Sequence, residues 1–192
     1  MVLMLILPLT VVLSMQQQNL SGQAASIPLA IDIQAGKNQS TAANSIVSPT
    51  FSTRADKEMI VVFLASDGSA TVPQTFTSVT GGGLTFQLAN RANRQRGVSE
   101  VWYAYAESKL TNVAITATRQ NGSYQGLMRV VALKGASETM GATVTGSGTA
   151  SVPSLSLTTT RAGSIVLGVG NDPSKTQSRT AGPNQKILQQ LT

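Results

Sequence analysis

The sequence predicts an all-β protein: an antiparallel β-sandwich, jelly-roll or immunoglobulin-like, with about ten strands. Three observations predict it. Short runs rich in Val, Ile, Thr and Ser recur along the chain, and Gly, Asn, Asp and Pro interrupt them. No long stretch carries the apolar period of a helix, although Glu107 to Leu110 has the length of one helical turn. Charge is sparse, 11% of 192 residues, against 41% hydrophobic residues. That balance suits sheet faces dressed in Ser and Thr and argues against disorder.

The first element is not part of that pattern. Residues 1–31 carry no charged side chain, and Val2 to Leu13 is an apolar run interrupted only by Pro8 and Thr10. Its length suits the apolar region of a secretory leader better than a membrane span, which needs roughly 20 apolar residues. Gln16 to Asn19 then turns polar, and Gly22 and Ala24 fit the small-x-small cleavage rule, so residues 1–24 read as a signal peptide. The Lys or Arg that normally opens such a leader is missing. A buried apolar strand or an uncleaved anchor are the other readings of the segment. Residues 25–192 then form one domain of ordinary size.

The strands follow in order. Ile27 to Ile33 is the first, and Ser45 to Thr53 the second, anchored by Ile46 and Phe51. Met59 to Leu64 is a continuous apolar run, too short for a typical helix and suited to a central strand buried on both sides. Phe76 to Val79 is short and ends at Gly81-Gly82-Gly83. Leu84 to Leu88 and Val101 to Ala106 form a hairpin candidate, with Leu84, Phe86 and Leu88 on one face and Asn90 to Gly97 as its polar connection. Asn112 to Arg119 alternates, with Val113, Ile115 and Ala117 on one face. Met128 to Leu133 resembles Met59 to Leu64 except for Arg129. Ala142 to Thr145, Ser154 to Thr160, Ser164 to Val169 and Ile187 to Leu191 complete the set, and Asn171 to Gln185 is the longest loop.

Composition excludes several chemistries. The chain has no His and no Cys, which removes Cys/His zinc sites, disulfides, thiol catalysis and Ser-His-Asp triads. Fourteen Lys and Arg against eight Asp and Glu give a net charge of +6, which favours acidic surfaces without naming one.

Three phrases together resemble a known group. They are Thr80-Gly81-Gly82-Gly83-Leu84-Thr85-Phe86 with Arg91-Ala92-Asn93; Ser99-Glu100-Val101-Trp102-Tyr103-Ala104; and Leu157-Thr158-Thr159-Thr160-Arg161-Ala162-Gly163-Ser164 running on to Leu167-Gly168-Val169-Gly170-Asn171-Asp172. They are similar to β-sandwich modules of unknown function in large secreted or surface-attached bacterial proteins, over roughly Ile27 to Leu191. The resemblance implies the sandwich and an exported setting. It also implies a further strand after Gln185 to Leu191, and so a fragment or completion by another copy or a partner. It carries no catalytic signature and no functional residue. Relatives often have Trp where this chain has Phe86.

The candidate ligand-binding residues are five. Arg91, Arg94 and Arg96 stand close enough in sequence to hold phosphate, sulfate or carboxylate by bidentate hydrogen bonds, or simply to solvate a hairpin tip. Tyr103 and Tyr105 share a strand face opposite Trp102 and offer a platform for a sugar ring, or else a packing surface. Gly81 to Gly83 has neither the Lys-Ser/Thr nor the helix of a phosphate loop and reads as a turn. Asp67-Gly68 and Asn171-Asp172 have oxygen ligands for calcium but lack alternating acids, and read as turns too. The eight carboxylates Asp32, Asp56, Asp67, Asp172, Glu58, Glu100, Glu107 and Glu138 fall in no motif, and a glycosidase needs two of them facing each other. No flanking pattern supports a Ser-Lys dyad.

The expected function is therefore a non-enzymatic structural or adhesive module, secreted or at the cell surface. It needs no cofactor and no metal, and it contacts anionic or neutral glycans of a wall or matrix, neighbouring domains or other copies. Nucleic acid is not an expected partner, because no aromatics interleave with the arginines. A carbohydrate-binding module using the two tyrosines is one alternative, and a subunit of an extracellular filament, pairing an open sheet edge with the next chain, is another.

Overall fold

The computed structural model describes residues 27–148, 154–172 and 178–191. The proposed leader, residues 1–24, lies outside them. Among the described residues there are eight strands and no helix: β1 Ala30–Ala43, β2 Ser45–Val47, β3 Glu58–Ser66, β4 Phe76–Thr80, β5 Gln87–Ala92, β6 Val98–Ala106, β7 Thr116–Arg119 and β8 Tyr124–Lys134. They make two antiparallel sheets, one of five strands in the order β1-β8-β3-β6-β5 and one of three in the order β2-β7-β4. The all-β reading holds at that level.

The central strand is the one that the apolar run predicts. β3 lies between β6 and β8, and all nine of its residues are buried. Alternation divides it. Ile60, Val62 and Leu64 enter one apolar cluster, and Met59, Val61 and Phe63 enter another on the opposite face. A strand with both faces covered has no position left for a polar residue except at its ends, which is why the run is unbroken.

The first cluster draws on both sheets. Ile46 of β2, Ala117 of β7 and Val79 of β4 lie opposite one another in register and join Ile60, Val62 and Val130 of the larger sheet. Between β2 and β3 the ladder gives way to side-chain lacing. Pro49 interrupts the extended run, so the predicted strand Ser45 to Thr53 stops at Val47, and Phe51 meets Val113 in an isolated bridge. The Ser48 hydroxyl accepts from Ile115 N–H at 3.0 Å and the Thr53 hydroxyl from Leu110 N–H at 2.9 Å.

Among the described residues the strand count is lower than the sequence suggests: eight, not about ten. Among the described residues, Ala142 to Thr145, Ser154 to Thr160, Ser164 to Val169 and Ile187 to Leu191 belong to no strand. Their β-branched composition favours an extended backbone, but a strand exists only where a partner edge is in reach. Residues after β8 instead cross the outer face of the five-stranded sheet, where Met140, Leu167, Val169 and Leu188 pack on the second cluster. The hairpin boundary also moves. Leu84 and Phe86 pack on the core but precede β5, and Asn90, Arg91 and Ala92 are strand, so the connection is only 93–97.

Candidate functional site

The three arginines do not converge. β5 and β6 pair Leu88 with Trp102 and then Asn90 with Val101, so a bulge leaves Ala89 unpaired. That single extra residue reverses the alternation and places Arg91 opposite Glu100, on the face turned to the core. Arg91 Nε donates to Glu100 Oε1 at 2.7 Å. The reading of Arg91 as part of a solvated loop is therefore corrected: it partners a buried carboxylate. Arg94 is exposed at the tip, and Arg96 Nε donates to the Gly68 carbonyl at 3.1 Å.

Glu100 is a polar post between the sheets. It has no exposed surface, and its carboxylate also accepts from Phe76 N–H at 2.9 Å and Trp102 Nε1–H at 2.5 Å. Arg119 is the second post. From β7 it reaches the larger sheet, donating to the Ser66 hydroxyl at 2.7 Å, the Ala43 carbonyl at 2.9 Å and Gln39 Oε1 at 3.0 Å. Its guanidinium lies 5.5 Å from the centre of the Phe76 ring. Burial pulls its pKa down to about 10, against the opposing influence of Asp67, so it stays charged at neutral pH.

Tyr103 and Tyr105 do share a face, opposite Trp102, and both are half-buried in the second cluster beneath the segment after β8. The Tyr103 hydroxyl donates to Gln87 Oε1 at 3.0 Å. Burial, and then Glu138 and Glu107, raise the Tyr105 pKa. The pair packs a sheet face that other residues of the chain cover in part.

Gly81, Gly82 and Gly83 all have positive φ, and a side chain at Gly81 would strike the Ala114 carbonyl at 2.2 Å, so the triplet is a tight turn against a neighbouring segment. Asp67 acts on Arg119, and Asp172 pairs with Arg179. No group of three His, Cys, Asp or Glu gathers among the described residues. No helix there is long and apolar enough to cross a membrane.

A site not visible in any motif lies where β1, the segment 51–54 and Lys186 meet. An open groove of about 580 Å³ is lined by Asp32, Gln34, Phe51, Ser52, Arg54 and Lys186, with Ile31 and Ile33 beside them. Asp32 Oδ2 accepts from Arg54 N–H at 2.7 Å, and Arg54 Nη1 donates to the Asp32 carbonyl at 3.2 Å. Both cations, Arg54 and Lys186, are exposed, and neither forms an ion pair among the described residues.

Behind Asp32 stands Glu58. It has no exposed surface, and neither of its oxygens has a hydrogen-bond partner. Burial, with the Asp32 carboxylate adding to it, pushes its pKa up to about 7, while Lys134 and Thr53 act in the opposite direction. Lys57, just before it, has a left-handed backbone with φ 58° at the entry to β3. Two of the eight carboxylates are thus neighbours. A general acid must reach its substrate, and Glu58 has no exposed surface.

No family model, curated protein or solved structure matches the chain.

Proposed function

We propose that the chain is a non-enzymatic structural or adhesive module of the cell surface or secreted space, built as a β-sandwich of jelly-roll or immunoglobulin-like type. The observation that carries this reading is the pair of buried posts. Glu100 and Arg119 tie two sheets together across one apolar core, with their polar groups spent on internal bonds. Such a scaffold is rigid and offers its edges and loops to a partner. Its charge of +6 favours acidic wall or matrix glycans at low ionic strength. Neutral glycans, neighbouring domains and further copies are the other partners of this class.

Retention of the full chain on insoluble acidic and neutral polysaccharides tests the reading. Binding to the acidic polymer that falls as salt is added is expected, and no retention on any polysaccharide contradicts it. Mass spectrometry of the exported product tests the leader: loss of Met1 to Ala24 is expected, and an intact N-terminus contradicts it.

One observation favours the filament-subunit reading as a second. Ser154 to Thr160 and Ser164 to Val169 have strand composition without a sheet partner among the described residues, while β1 and β5 end the larger sheet. Concentration-dependent assembly seen by light scattering would support it, and a monomer at all concentrations would remove it. The carbohydrate reading through Tyr103 and Tyr105 is weaker, because both rings pack in the covered cluster.

A further inference from the structure

We propose that the groove between β1, the segment 51–54 and Lys186 is a binding site for a carboxylate-bearing sugar residue. The proposal rests on the adhesive reading above and gives it a place and a ligand class.

Charge selects the ligand first. Arg54 and Lys186 bring two cations to the groove against the single carboxylate of Asp32, and neither cation has an ion-pair partner among the described residues. Two exposed cations lining one open space favour an anion, and the Arg54 guanidinium, which gives Nη1 to the Asp32 carbonyl, has further donors for it. The lining then selects among anions. Asp32 accepts hydrogen bonds and repels negative charge, so a ligand that is anionic throughout meets opposition there. Gln34 and Ser52 add further polar groups, and Phe51, Ile31 and Ile33 add apolar ones. A uronic acid meets both requirements: its carboxylate faces Arg54 and Lys186, and its hydroxyls donate to Asp32.

None of the earlier candidate residues contributes. Arg94 and Arg96 lie on the 93–97 connection, apart from the groove lining. That separation makes the proposal decidable.

Isothermal titration calorimetry of the full chain with trigalacturonate at low ionic strength is the test, with the neutral galactose trimer and hexaglutamate as companion ligands. Trigalacturonate is expected to bind, and Arg54→Gln with Lys186→Gln to weaken it by about tenfold or more, as loss of charge-assisted contacts implies. Arg94→Gln with Arg96→Gln is expected to leave the affinity unchanged, and the neutral trimer and the peptide to bind far more weakly. All four positions carry exposed side chains, and matched thermal melts establish that the variants are folded. Undiminished binding by the groove variant overturns the proposal, as does equal binding of the neutral trimer or of hexaglutamate. Retention on polygalacturonate with no trimer effect at the groove removes the site and keeps the adhesive reading. No retention on any polysaccharide removes both.

Discussion

The two faces of the five-stranded sheet are covered in different ways. The inner face meets a second sheet, and polar groups tie the two: Glu100 reaches Phe76 of β4, and Arg119 reaches β1 and β3. The outer face meets the segment after β8, which brings Met140, Leu167, Val169 and Leu188 to the cluster and, among the described residues, contributes no strand. Apolar contact is present on both sides. The buried ions Glu100 and Arg119 lie on the inner side, whereas the outer segment is held by hydrogen bonds nearer the surface, among them Asn38 Nδ2 to the Gln190 carbonyl at 3.0 Å and Asn171 Nδ2 to the Ser66 carbonyl at 3.1 Å. The outer segment also leaves Leu155 57% and Val166 60% exposed, so part of its apolar content contributes no burial. Hydrophobic contact alone is tolerant of small displacements, whereas a buried ion held by several bonds is not. The inner face should therefore be brittle to substitution and the outer face forgiving.

Glu100→Ala is the largest expected break. It leaves the Arg91 charge, Phe76 N–H and Trp102 Nε1–H without their acceptor; Arg91 is partly exposed and recovers some hydration, but each buried donor left unsatisfied costs about 1–3 kcal/mol, so a loss of about 3 kcal/mol or more is expected. Denaturant unfolding measures it; a loss near that of a surface change would contradict the role given to Glu100.

Paired truncations sharpen the comparison. Val62→Ala on the inner face is expected to cost about 2 kcal/mol or more, and Leu188→Ala on the outer face about 1 kcal/mol or less. Equal losses in urea midpoints would erase the distinction between the faces.

Glu58 gives the inner side a pH dependence. Its carboxyl titrates near 7 in the folded chain against an ordinary 4.5, so the folded state holds the extra proton between those values. The stabilisation is complete below pH 4.5 and is lost as pH rises through about 7. Its size is on the order of 3 kcal/mol. Glu58→Gln keeps the side chain neutral, so its stability is expected to vary less over this range and to exceed that of the parent at pH 8. Parallel pH profiles for the two proteins would contradict this assignment.

The smallest effect is expected at the hairpin tip. Arg94→Gln should change stability by no more than about 0.5 kcal/mol, as exposed positions without buried bonds do, while Arg91, three residues earlier, is tied to Glu100. A large loss at Arg94 would place that side chain in bonds that the fold does not give it.

Much of the sheet framework was legible because it depends on local alternation. Met59 to Leu64 announces a strand covered on both faces, and the alternation of Trp102 with Tyr103 and Tyr105 places these side chains on the faces they occupy. The place of Arg91 was not legible, because one bulged residue, Ala89, turns it toward Glu100, and composition does not reveal a bulge. The strands expected after β8 failed for another reason. Thr and Val set an extended preference, but pairing is a property of the distant edge. The groove was not legible at all, because Asp32, Arg54 and Lys186 are brought together only by the tertiary fold. One signal did exist for Glu58: a carboxylate immediately before a six-residue buried run is positioned to be drawn in with it.

Residue-resolved amide hydrogen exchange of the intact chain measures the contrast between the two coverings directly. The expected result is slow exchange in β3, β6 and β8, and rapid exchange across 154–169, where strand-like residues have no ladder. Protection in 154–169 equal to that of β3 would mean that the outer segment is bonded as firmly as the core, and would contradict the account.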